Sequence, residues 1–350
     1  MRSILPEICT AVWGAEYVEL CADGLHVHRF NAGESMLYRQ RRETFFMKSR
    51  ASAGITLHFR TDSEKIFLAV AVKPGSSRKY FSMEVLADGL PVGGLQNFDR
   101  DEMTGRDRYC DIEGPWEPLS AEFMLPEGDR EIEIVLPWSA ETVLTELKIG
   151  KHASLQPVLP KKSFLFYGDS ITQGYDALYP SARYAAQVCR AFRAAEYNKA
   201  IGGEIFFPEL AAEPSKLLPD AVFVAYGTND WFRCDETQFV ENCGKFFENL
   251  CNKYPDRPIF ALTPIWRGDR DTPRPMGAHA RVGELIRMLA GRYRNVTVVD
   301  GSGFLSAEPT LFADGFLHPN DRGFTCFADR LLEELKKTAR FTEARENHDV

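Results

Sequence analysis

The spacing of apolar residues changes period once along this chain, near Gly150, and that switch decides what each half can fold into. Before it, apolar residues alternate with polar or small ones. Ile55, Leu57 and Phe59 do so, as do Ile132, Ile134 and Leu136 among Glu131, Glu133 and Val135. Val143, Leu147 and Ile149 suggest a last strand, and the unbroken run Ile66 to Val72 reads as a strand buried on both faces. Turn sequences separate these runs: Pro74-Gly75-Ser76-Ser77, Asp88-Gly89 and Pro126-Glu127-Gly128-Asp129. No helix-period stretch stands out between about residues 20 and 150, so the expected architecture there is an antiparallel sandwich.

Beyond Gly150 the segment His152 to Lys162, with Pro157 and Pro160, reads as a linker. Short apolar strands then alternate with helix-length segments. The strands are Ser163–Tyr167, Asp220–Tyr226, Pro258–Leu262 and Val296–Val299; the helices are Ser181–Ala194, Glu236–Lys253, Ala278–Tyr293 and Phe324–Lys337. In Glu236–Lys253, Phe239, Cys243, Phe246, Phe247 and Leu250 form the apolar face. Alternating strand and helix means a parallel sheet covered on both sides, and in such sheets the active site lies beyond the C-terminal ends of the strands. At 350 residues the chain has room for two domains, expected at 1–155 and 156–350.

Bulk properties narrow the partners. Hydrophobic residues make up 44% and charged residues 26%, as in ordinary globular proteins. A net charge of −8 argues against a nucleic-acid partner, and the basic stretch Arg39 to Arg42 reads as a solvated edge or turn. The eight cysteines, Cys9, Cys21, Cys110, Cys189, Cys234, Cys243, Cys251 and Cys326, include no CxxC pair, which fits reduced thiols in the cytoplasm. The N-terminus has no signal-peptide pattern, and no run reaches the roughly 18 apolar residues of a membrane helix. A cytoplasmic protein acting on a small molecule, with no membrane partner, is therefore expected; a homo-oligomer is compatible with this. His152 and His279 have no partners at ligand spacing, so no metal site is expected; no organic cofactor is expected either.

The predicted strand ends carry the candidate chemistry. The first ends in Gly168-Asp169-Ser170-Ile171-Thr172, which places Ser170 at a strand-to-helix junction. Alone, that serine reads equally well as a helix N-cap. The strand 220–226 ends in Gly227-Thr228-Asn229-Asp230, where the Asn229 amide can donate to a developing oxyanion or merely shape a turn. Between them Asn198 to Gly203 ends in paired glycines, which allow close backbone approach to a ligand or a simple turn. Asp314 to Asp321 places His318 in a loop before the last helix, as a general base or as an ordinary surface histidine.

Taken jointly and in this order, these blocks resemble the SGNH, or GDSL-type, hydrolase family over roughly residues 160–340. The resemblance implies a flavodoxin-like three-layer α/β domain, preceded here by an all-β, jelly-roll-like sandwich. It implies a serine esterase in which Ser170 attacks an ester carbonyl, His318 relays the proton and Asp314 orients the imidazole. The N–H groups of Ser170 and Gly203 and the amide of Asn229 would form the oxyanion hole, each donor worth roughly 3 kcal/mol. One departure stands out: Asp314 precedes His318 by four residues, where the family's acid usually lies three before. The loop bulges by one residue, or a backbone carbonyl or Asp300 takes the acid's place.

The two-part layout looks like that of carbohydrate esterases that remove acetyl groups from sugars, which favours a sugar or oligosaccharide ester as substrate. A short-chain esterase or lipase on other esters is the alternative, and a non-catalytic carbohydrate-binding protein is a third reading. A nucleotide site is disfavoured because GDSITQG lacks the Walker A lysine and a GxGxxG pattern. Trp231 and Trp266 follow predicted strand ends and would stack on a sugar or only wall the pocket; Trp116 and Trp138 read as core or interface residues. Arg39 to Phe46 and Asn97 to Arg108 are the N-terminal segments that would reach toward the site.

Overall fold

The computed structural model describes residues 1–98 and 117–338. Cys110, Trp116 and most of the segment Asn97 to Arg108 lie outside these residues. The N-terminal region forms two antiparallel sheets. One orders Tyr17–Cys21, Gly24–His28, Ala140–Ile149, Lys65–Pro74 and Glu117–Met124; the other orders Gln156–Pro157, Thr56–Thr61, Arg130–Val135, Ser82–Ala87 and Leu90–Gln96. Leu57, Phe59, Ile66, Leu68, Ile132 and Ile134 meet between them in one apolar core.

Three expectations need correction here. In Lys65–Pro74, Ile66, Leu68, Val70 and Val72 are buried, whereas Phe67, Ala69 and Ala71 are only half-buried. The strand is central in an antiparallel sheet with a single covered face, and Lys148 lies over the Phe67 ring on the other. Second, helices Ala32–Arg41 and Glu43–Ser49 occupy a stretch expected to be all β. The first buries only Glu34 and Tyr38, too few residues to show a helical apolar period. Its signal was instead local: Asn31 accepts from the Glu34 N–H while the Glu34 carboxylate accepts from Asn31, a capping box written as N-x-x-E. Third, the segment read as a linker adds Gln156–Pro157 to the sheet edge beside Thr56–Thr61, and the Trp13 indole donates to Val158 O at 2.8 Å.

The C-terminal region is built on a five-stranded parallel sheet ordered Ala194–Asn198, Lys162–Gly168, Ala221–Ala225, Ile259–Leu262 and Val296–Val299. The edge strand Ala194–Asn198 is not among the strands expected from sequence. The helix before it, expected over Ser181–Ala194, is shortened to Tyr184–Ala191. Side chains alternate across the sheet. Phe164, Phe166 and Phe223 pack toward Tyr184–Ala191 and Asp321–Lys336. Leu165, Tyr167 and Val224 pack toward Glu236–Lys253 and His279–Ala290, giving three layers. Among the described residues no helix is long and apolar enough to cross a membrane, and the seven described cysteines are free.

The two regions meet through buried polar groups. The Lys199 ammonium lies 2.5 Å from Glu34 and 3.0 Å from Glu16. The Trp138 indole donates to Ala177 O at 3.0 Å.

His58, on Thr56–Thr61, is stacked against Trp13 with ring centroids 3.6 Å apart, and burial pushes its imidazole down to about 3. It is therefore neutral in the fold, while the unfolded chain protonates it near 6.5. This contribution is full above pH 6.5 and is lost as pH falls toward 3. Between pH 7 and pH 4.5, His58→Phe should therefore gain on the parent protein by roughly 2 kcal/mol, read from urea denaturation at each pH.

Candidate active site

Strand Lys162–Gly168 delivers Asp169 and Ser170 to the C-terminal edge of the parallel sheet. The short helix Ser170–Gln173 is capped by Asp169, whose Oδ1 accepts the Ile171 N–H at 2.9 Å. Ser170 is therefore the first helical residue and not the cap. Its Oγ lies 2.9 Å from Nε2 of His318. Burial raises the Asp169 carboxyl to about 6.

The other ring nitrogen of His318, Nδ1, lies 2.8 Å from Asp314 Oδ2. The four-residue spacing is absorbed by a bulge. Asp314 Oδ1 accepts the N–H groups of Phe316, Leu317 and His318 at 3.0, 2.8 and 3.1 Å, and Gly315 turns the chain at φ +82°. Burial alone would raise the Asp314 carboxyl. The hydrogen bond and charge of His318, with the Leu317 and Phe316 N–H groups, outweigh it and hold the carboxyl well below the usual carboxylate range. Asp300, the other candidate, is engaged elsewhere, with Thr263 Oγ1 at 3.0 Å and Arg287 at 2.9 Å.

A second carboxylate, not foreseen from sequence, faces the same nitrogen. Asp176 Oδ2 lies 3.5 Å from His318 Nδ1, on a residue with φ +71°. Arg78, in the turn after strand Lys65–Pro74, takes both oxygens of Asp176 through Nε and Nη2 at 2.6 and 2.7 Å, and Tyr80 donates to Oδ1 at 3.2 Å. Sequence spacing gives no signal for a pair that only the meeting of the two regions creates. Asp176, Asp314 and His318 bring ligand-type atoms within 4.8 Å of one another, but the guanidinium occupies the Asp176 oxygens that a cation would use.

The glycine block follows strand Ala194–Asn198. Gly203 has φ +85°, and a side chain on Gly202 would come within 2.3 Å of the Tyr175 ring, which stacks over His318 at 5.8 Å. The Gly202 N–H donates to Gln173 Oε1 at 2.8 Å, and Gln173 in turn donates to Trp138 O at 3.1 Å. Asn229 is the second residue of the helix Thr228–Arg233, after strand Ala221–Ala225, and donates to Glu204 O at 3.0 Å, which ties it to the same loop. Asp230 beside it accepts from the N–H groups of Phe206 and Gly227, both at 3.0 Å.

The two tryptophans separate. Trp231, expected as a stacking platform, is fully buried in the core, and its indole donates to Gly277 O at 2.9 Å. The helix turns this side chain inward, so it has no face to offer a sugar, and the exposed aromatic beside it is Phe232. Trp266 is half-buried against Phe312 at 5.0 Å, and a side chain on Gly268 would touch both the Trp266 ring and Phe316, two residues before His318.

Residues 166–325 match the GDSL-like Lipase/Acylhydrolase family. No curated protein matches the chain. Among solved structures, the salicylyl-acyltransferase SsfX3 from a tetracycline biosynthetic pathway is 22% identical, with TM-score 0.77 over 93% of this chain and 94% of that one. A GDSL-like lipase from Bacteroides ovatus is 20% identical, with TM-score 0.72 over the same shares. A family two carbohydrate esterase from Clostridium thermocellum, solved with cellohexaose, is 16% identical, with TM-score 0.63 over 93% of this chain and 98% of that one. These likenesses extend past residues 166–325 into the N-terminal sheets.

The loop that carries Gly203 hangs on one N-terminal side chain. Arg29, buried, donates to Asn198 O and Ala200 O at 2.9 and 3.0 Å, to Ala51 O at 2.6 Å and to Lys48 O at 2.8 Å. Arg29→Met removes these four hydrogen bonds at once and should cost about 3 kcal/mol or more in chemical denaturation. Arg29→Lys should recover little, because an ammonium cannot fill a guanidinium fork.

Proposed function

We propose that this protein is a serine hydrolase of carboxylic esters. The observation that carries the reading is the unbroken hydrogen-bonded line from Ser170 Oγ through both ring nitrogens of His318 to Asp314. A free hydroxyl is a poor nucleophile at neutral pH, and this line supplies the base it needs. Ser170 Oγ attacks the ester carbonyl while His318 Nε2 takes the hydroxyl proton. Asp314 accepts from Nδ1–H, fixes the tautomer and stabilises the imidazolium. The carbonyl oxygen, now anionic, is met by the N–H groups of Ser170 and Gly203 and by the Asn229 amide hydrogen that is not bound to Glu204. Collapse breaks the ester C–O bond, and the alcohol leaves with the proton from His318. Water then attacks the acyl-serine by the same relay, releasing the acid and restoring Ser170.

The favoured substrate is an acetylated sugar or short oligosaccharide. The support is the two-part architecture shared with the carbohydrate esterase, together with Trp266 beside the His318 loop. Only Trp266 of the two tryptophans retains this role.

Purified protein should release acetate from acetylated xylo-oligosaccharides and cleave 4-nitrophenyl acetate but not the octanoate, and Ser170→Ala should be inactive. Cleavage of octanoate in preference to acetyl sugars would point to a lipase-like enzyme. Sugar binding without cleavage would point to a non-catalytic binding protein.

The two carboxylates on His318 should separate by variant. Asp314→Asn removes the group that fixes the tautomer and should lower kcat by about 10²–10⁴-fold with the melting temperature little changed. Asp176→Asn removes the carboxylate charge that Arg78 binds and should act mainly on stability, lowering the melting temperature while kcat falls less.

A further inference from the structure

The N-terminal helix Glu43–Ser49 reaches the glycine block of the C-terminal region. Its Lys48 ammonium donates to Gly202 O at 2.6 Å. Gly202 C=O and Gly203 N–H belong to one peptide group. A cation on the oxygen of an amide draws electron density from its nitrogen and makes the N–H a stronger donor. It also resists rotation of the peptide plane, at a residue whose φ of +85° leaves glycine as the only comfortable occupant. Arg29 donates to the backbone carbonyl of Lys48, which fixes the main chain that carries the ammonium, and the Phe45 ring lies 5.6 Å from Nζ.

We propose that Lys48 is a positioning residue of the oxyanion hole: it fixes and polarises the Gly202–Gly203 peptide so that the Gly203 N–H meets the developing oxyanion. This rests on the serine-hydrolase reading above. Lys48 touches neither substrate nor the reacting atoms, and it comes from outside residues 166–325. Arg233 donates to Gly203 O at 2.8 Å, but that oxygen belongs to the next peptide, so Arg233 does not substitute for Lys48.

The charge on Lys48 is also titratable in a useful range. Burial, then Arg233, Arg42 and Arg78 lower its ammonium to about 8, against the opposing pull of Glu204. Below that pH Lys48 is charged; above it the polarisation is lost, and kcat falls on the alkaline side.

The test is steady-state kinetics on 4-nitrophenyl acetate across pH 6–10 for the parent, Lys48→Met, Lys48→Arg and Arg233→Met, with folding checked by circular dichroism. Lys48→Met should lower kcat at pH 7 by about tenfold to a hundredfold, less than loss of an oxyanion donor itself, with KM within about twofold. The parent should lose kcat near pH 8. Lys48→Arg should recover activity at pH 7 and carry it to higher pH, because a guanidinium stays charged. Arg233→Met should move the alkaline fall upward by removing a neighbouring positive charge.

An unchanged kcat in Lys48→Met, or a rise in KM alone, overturns the proposal; the latter would make Lys48 a substrate contact. If Lys48→Met fails to fold, an alkaline fall that neither Lys48→Arg nor Arg233→Met moves overturns it equally. Absence of Ser170-dependent turnover in the parent defeats the serine-hydrolase reading itself, whereas Ser170-dependent turnover with an indifferent Lys48 defeats only this inference.

Discussion

The site depends first on a guanidinium buried where the two halves of the chain meet. Arg29 has no hydrogen-bonded carboxylate partner among the described residues; its donors go to backbone carbonyls from both halves of the chain. Burial lowers it to about 9, so it remains charged at neutral pH. A guanidinium suits this place because it spreads one charge over a planar fork that several carbonyls can share. On one side it fixes the turn Asn198–Ala200, which runs on into Gly202 and Gly203. On the other it fixes the end of the helix that carries Lys48. Both sides of the contact at Gly202 O thus hang on one side chain.

Around that contact the N-terminal region braces the catalytic groups from a second direction. Trp138 O holds Gln173, and Gln173 holds the Gly202 N–H. Arg78 holds Asp176, which faces His318. The two carboxylates at Nδ1 are not equivalent. Asp314 is shorter by geometry and accepts three backbone N–H groups through its other oxygen, which keeps it ionised and fixed. Asp176 is already spoken for by a guanidinium. The imidazole therefore has one strong acceptor and a second carboxylate whose charge Arg78 offsets.

Much of the parallel-sheet region was legible because short apolar strands and long amphipathic helices alternate, and Glu236–Lys253 emerges with the bounds its apolar face suggested. Ser170, His318, Asn229 and Gly203 were legible as residue types at strand ends. The pairing of Asp314 with His318 through a bulged loop was one of the readings the four-residue spacing left open; what selects it, three backbone N–H groups converging on one Asp314 oxygen, no spacing rule encodes. Trp231 misled because position after a strand does not say which way a helix turns its side chains. The helix Ala32–Arg41 was hidden because its inner face carries a buried glutamate, and Lys48, Arg29 and Arg78 had no signal because their partners lie far along the chain. Residues that serve within one element were readable from local pattern; those that join the two regions were not.

The most direct measurement is covalent labelling with a fluorophosphonate followed by peptide mapping of the parent protein and His318→Ala. A serine activated by His318 should give a single adduct per chain, on Ser170, and label far more slowly in His318→Ala. Labelling of another residue, or none at all in folded parent protein, would contradict the assignment of Ser170 as the nucleophile.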